Sequence, residues 1–133
     1  MLLALAEQQG IRSDVIPRIA TAFCGGISRT GSLCGAVSGG VMGISLALGR
    51  NTPSESRDEA FAAVQGFLAA FEGRFASLTC LGLTGCHLGT PEGRERFHRE
   101  GRGSECRSYV AEAASMAAEL IQVKQSRHAD GAE

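Results

Sequence analysis

Five cysteines, at positions 24, 34, 80, 86 and 106, carry most of the chemical potential of this sequence. A thiolate attacks disulfides and binds soft metals, and the neutral thiol does neither well. The count is odd, so complete pairing within one chain is impossible. No two cysteines stand at C-x-x-C spacing, which argues against a thioredoxin-like motif, and without C-x-x-C-H a covalent c-type haem has no attachment point. Zinc or an iron–sulfur cluster could still be held by Cys34, Cys80 and Cys106 drawn from distant parts of the chain. Cys24, Cys86 or His87 would then supply a further ligand.

The positions of three of these thiols suggest how they could be activated. If Ser32, Ser77 and Ser104 are helix caps, then Cys34, Cys80 and Cys106 each fall in a first helical turn. Free amides and the positive end of the helix dipole favour an ionised thiol there. An ordinary thiol is about 3% ionised at pH 7, and a pKa near 7 would make that about half. Burial pushes in the opposite direction. Cysteine is also a small apolar side chain that often does no more than fill a core.

The elements that must position these residues read as helices. Alanine and glycine are plentiful, Val, Thr and Tyr are scarce, aromatic residues are 5%, and no run of alternating apolar and polar residues is long enough for a strand. Residues 2–9 and 14–23 read as two helices, followed by a glycine-rich loop at 24–31. Residues 30–49 carry no charge, which is the length of a membrane span. Glycines and hydroxyl residues interrupt them, so a buried central helix over about 34–48 is expected instead, with no span. Gly35, Gly39 and Gly43 recur every fourth residue and give that helix one bare face for close packing, or for a dimer interface.

Thr52, Pro53 and Glu55 carry the signals of a helix start. The helix expected from there buries Phe61, Val64, Phe67, Leu68, Phe71 and Phe75 as a stripe. Thr90 and Pro91 open another helix with a charged, solvated face. Ser104 opens a long last one with Cys106, Tyr109, Val110, Ala113, Met116, Ala117, Leu120 and Ile121 inward. The expected architecture is therefore all-α: a compact multi-helix bundle around a glycine-rich centre, without β-sheet. Residues 1–125 form its single domain and 126–133 a flexible tail.

Composition bounds the function. The chain is 44% hydrophobic and 20% charged with a net charge of −1, which fits a globular domain and offers no field to gather nucleic acid or an anionic membrane. The apolar run at 1–6 lacks a basic flank and ends at Glu7, so it does not read as a signal peptide. A reducing, cytoplasmic setting is the expectation. Arg29, His98 and His128 are expected in solvent and Tyr109 in the core. No Ser-His-Asp set, carboxylate pair or phosphate loop stands out.

The run Cys34-Gly35-Ala36-Val37-Ser38-Gly39 resembles the C-G-A-x-x-G signature of the C_GCAxxG_C_C family of bacterial redox-active proteins. The surroundings are similar too. Gly25-Gly26-Ile27-Ser28-Arg29 resembles the family's glycine-rich stretch ahead of the motif. Phe71 to Cys80 resembles its F-x-x-x-F…C segment, and Leu83-Thr84-Gly85 with Thr90-Pro91-Glu92-Gly93 resembles the turn that follows. Cys106 stands where the family's last cysteine is expected. The resemblance implies redox roles for Cys34, Cys80 and Cys106. It also expects a cysteine just ahead of the position of Met1, for which Cys24 could substitute, and it treats Cys24 and Cys86 as additions.

Three functions follow as alternatives. The first is a thiol redox protein, a candidate oxidoreductase with an unknown redox partner. The second is a cysteine-ligated metal or iron–sulfur protein. The third is a non-redox helical interaction module whose thiols are core. Convergence of residues 34, 80 and 106 in space separates the first two from the third.

Overall fold

The alanine- and leucine-rich segments fold as helices, and among the described residues no strand or sheet forms. The computed structural model describes residues 1–130, with side chains through Ser126. Helix α1 spans Leu2–Gln8 and α2 spans Val15–Ala20, continued by a 3-10 turn at Thr21–Phe23. A single turn, α3, covers Cys24–Ile27. Helix α4 spans Gly35–Leu48, α5 Asp58–Phe75, α6 Cys80–Thr84, α7 Pro91–Arg99 and α8 Arg102–Asp130. The expected tail at 126–133 falls on the end of α8 and on residues 131–133, which, like the His128 side chain, lie outside the described residues.

Helix α4 packs against α1, α5 and α8, and its glycines are what permit the approach. A Cβ on Gly39 would stand 2.6 Å from Cγ of Met1, one on Gly43 2.3 Å from Cδ1 of Leu5, and one on Gly40 2.3 Å from Cζ of Phe67. Each glycine costs about 1 kcal/mol of helix propensity against alanine. The fully buried rings of Phe67 and Phe71, at about 2 kcal/mol each, help to offset that. Leu5, Ala36, Val37, Ile44, Ala63, Ala113, Ala117 and Ile121 complete the main core, and Leu2, Ala6 and Ile16 form a smaller one between α1 and α2.

Two local expectations are corrected. The signals at Thr52 and Glu55 close a turn on themselves. The Glu55 carboxylate accepts from the Asn51 amide at 2.8 Å and the Thr52 hydroxyl at 3.1 Å, and α5 starts only at Asp58. Phe61, one turn into α5, is 54% exposed, with the Arg57 guanidinium 5.4 Å above its ring. The rest of the stripe points inward. Phe71, Phe75 and Tyr109 form a chain of ring contacts at 4.8 and 5.0 Å from α5 to α8. Tyr109 is half-buried and donates its hydroxyl to the Leu83 carbonyl at 3.3 Å, which ties α6 to α8.

No helix among the described residues is long and apolar enough to cross a membrane.

Candidate functional site

The entries to α4 and α6 lie side by side. Leu33 and Thr79 form an isolated antiparallel bridge. The Cys34 amide donates to the Leu78 carbonyl and the Cys80 amide to the Ser32 carbonyl, each at 2.8 Å. Two residues 46 apart in sequence (34 and 80) are thus held on neighbouring backbone segments by paired hydrogen bonds. Helix α8, packed on α4, brings Cys106 to the same place.

The caps differ from those expected. Cys34 is itself the N-cap of α4, with extended backbone (φ −61°, ψ 139°) and no capping hydrogen bond from its side chain. Thr79, not Ser77, caps α6 by accepting from the Gly82 amide at 3.0 Å, so Cys80 is the first helical residue. Ser104 lies inside α8 and donates to the Gly101 carbonyl at 2.9 Å, which puts Cys106 in the second turn. Only Cys34 therefore stands at the positive end of a long helix.

Burial decides the ionisation of the other two. Removal from water pushes the Cys80 thiol up, the neighbouring Cys34 adds to this, a hydrogen bond with Thr84 opposes it, and Cys86 raises it further. Desolvation, followed by the charges that Cys34, Cys80 and Glu105 would place nearby, pushes Cys106 from an ordinary 9.0 to about 11. The idea that all three helix ends lower their thiol pKa values is corrected here. A neighbouring thiolate charge thus adds to burial in keeping Cys80 and Cys106 protonated.

Cys34, Cys80 and Cys106 line one cavity of about 390 Å³, and Cys24 joins them at its exposed side. The remaining wall comes from α1, α2, Phe23, the turn at 24–27, the first two turns of α4, Leu88, Phe97 and Val110, and its side chains are all apolar or absent. Cys86 is 1% exposed and lies off the cavity behind Cys80. The Thr84 hydroxyl joins the two by donating to the Cys80 carbonyl at 2.8 Å and accepting from the Cys86 amide at 3.2 Å. His87 is exposed while its neighbour Cys86 faces inward, so the two do not act as a pair. Among the described residues, no three His, Cys, Asp or Glu side chains are arranged to hold a metal ion.

Sequence reasoning missed the backbone that frames the site. Gly25, Gly26, Ile27, Ser28 and Arg29 all have positive φ, between 53° and 69°. Left-handed backbone costs about 1–2 kcal/mol per non-glycine residue. Hydrogen bonds hold it: the Ser28 amide and hydroxyl both reach the Ala22 carbonyl at 2.8 and 3.0 Å. The Gly26 carbonyl accepts from the Thr30 hydroxyl at 2.8 Å and the Ser32 amide at 3.0 Å. Gly26 lies directly on Cys80, where a Cβ would stand 2.4 Å from the cysteine Cβ. The doubled glycine was the one available signal. Arg29 is exposed and lays its stem over Gly25.

Compared with known proteins, residues 1–120 match the family model described as "Putative redox-active protein (C_GCAxxG_C_C)". No curated protein and no solved structure matches the chain.

Proposed function

We propose, from the premise that this chain belongs to the C_GCAxxG_C_C family of redox-active proteins, that it carries out thiol–disulfide exchange at Cys34, Cys80 and Cys106. The observation that carries this reading is that the three thiols line one cavity, two of them flanking the same backbone bridge. Cys34 is the attacking group, because it stands at the N-terminus of the 14-residue α4, half-buried at the cavity wall. Its thiolate forms a bond to one sulfur of a substrate disulfide as the S–S bond breaks, and the departing thiolate takes up a proton. Cys80, or Cys106 in its place, then attacks the Cys34 sulfur and releases the second substrate thiol. Two electrons and two protons pass from protein to substrate, and the protein is left with one disulfide.

Magnitudes fit a reversible exchange. Same-face residues diagonal across a regular antiparallel bridge stand about 7–8 Å apart between Cα atoms. A disulfide needs no more than about 7 Å. By that measure the Cys34 and Cys80 positions stand near the span that a disulfide bridges. A reducing cytoplasmic setting suits five free thiols.

Mapping of disulfides by mass spectrometry after mild oxidation of the reduced protein tests the reading. The expected product links Cys34 to Cys80 or Cys106. Oxidation confined to Cys24, or disulfides only between chains, overturns it.

A further inference from the structure

We infer that this thiol cavity selects uncharged, apolar organic disulfides and discriminates against charged ones; the inference rests on the reading of Cys34, Cys80 and Cys106 as exchanging thiols. The cavity of about 390 Å³ lies within the range of small-molecule sites and is roomy enough for two short alkyl or aryl thiol halves. No side chain lining it carries a nitrogen or an oxygen; the wall is aliphatic and aromatic side chains, glycine and cysteine. Met1, Leu2, Ile16, Phe23, Met42 and Phe97 supply its larger side chains along with Leu3 and Leu88. A carboxylate or ammonium entering it would give up water and meet no charged or polar side chain in exchange. Arg29 is exposed and does not line the cavity, and Arg94, whose guanidinium donates to the carbonyl of the wall residue Leu88 at 3.0 Å, does not line it either. The rim extends the same character outward, since Leu3 is 49% exposed and Val110 36%.

The reaction balances without another co-reactant for a single turnover. The Cys34 thiolate bonds to one sulfur of R–S–S–R, and the leaving RS⁻ takes the proton of Cys80 or Cys106. That second sulfur then attacks Cys34, and the second RS⁻ is protonated from solvent. One organic disulfide becomes two thiols as two protein thiols become one disulfide.

Dipyridyl disulfide, which is uncharged, and dithiodinicotinic acid, its dicarboxylated analogue, give the test. The dimethyl ester of the latter controls for size. Release of the chromogenic thiol is followed with the reduced full chain carrying Cys24→Ser, and each rate is divided by that of a free cysteine peptide. The expected normalised preference for the uncharged pair over the dicarboxylate is about a hundredfold, the scale set by burying an unpaired charge. Val110→Lys at the rim is expected to narrow that preference with helicity unchanged. A normalised ratio near one, with the Cys34 disulfide still formed, overturns the substrate class and leaves the exchange function standing. A folded Val110→Lys protein with the full preference also overturns it. Failure of every reagent to produce a disulfide among residues 34, 80 and 106 removes the exchange function and the inference together.

Discussion

The amide of Cys80 donates to the Ser32 carbonyl while the amide of Cys34 donates to the Leu78 carbonyl, so the two cysteines flank the Leu33–Thr79 bridge from opposite sides. This places the starts of α4 and α6 together and gives the two sulfurs different surroundings. Cys34 is half-buried at the end of a long helix, and Cys80 is 6% exposed beneath Gly26. Their roles should separate accordingly. Cys34→Ser is expected to lower the rate of mixed-disulfide formation in the cavity to background. Cys80→Ala is expected to let the mixed disulfide form and persist for longer, as seen by intact mass after a pulse of dipyridyl disulfide. Equal loss in both variants would contradict the division.

The buried thiols set the pH dependence. A raised pKa means that the folded protein holds the Cys106 proton more tightly than the unfolded chain does. Alkylation of Cys106 by iodoacetamide should therefore be slow at neutral pH and rise with pH through a midpoint near 11, against an ordinary 9.0. The same shift makes folding stability fall as pH climbs across that window, because the unfolded chain releases the proton first. Peptide mapping of the label from neutral to strongly alkaline pH checks the profile. A Cys106 midpoint below 9.0 would contradict the burial seen here.

The left-handed segment makes opposite predictions for adjacent residues. Ile27 is β-branched with φ at 57°. Ile27→Gly should relieve strain and raise stability by up to about 1 kcal/mol, read from the urea midpoint. Gly26→Ala should do the reverse, since its Cβ would meet Cys80 at 2.4 Å and the Ser32 carbonyl at 2.6 Å. Overpacking and backbone strain together should cost about 3 kcal/mol. Gly26→Ala should also change the reactivity of Cys80.

The core offers a third pair. Gly40→Ala would press on Phe67, with the new Cβ 2.3 Å from Cζ, and should destabilise by about 1–3 kcal/mol. Phe67→Ala would leave a cavity in a fully buried position and should cost about 3–5 kcal/mol. Because the added Cβ would meet the Phe67 ring, Phe67→Leu with Gly40→Ala should be milder than the sum of the single changes. Thermal unfolding followed by circular dichroism provides the comparison.

The all-helical class, most helix positions and most of the inward faces of α5 and α8 were legible in the amino-acid order, as was the choice of Cys34, Cys80 and Cys106 as candidates; Phe61 and Val110, expected inward, are exposed. Local propensity, apolar periodicity and the C-G-A-x-x-G run carry that information within a few turns of chain. The pairing of Leu33 with Thr79, the shared cavity, the left-handed run at 25–29 and the isolation of Cys86 behind Cys80 were not legible. They depend on contacts between segments far apart in sequence. Ionisation belongs with them. Helix ends argue for ionised thiols at all three sites, but burial and mutual repulsion depend on what the fold packs around each sulfur, and for Cys80 and Cys106 these outweigh position along the helix.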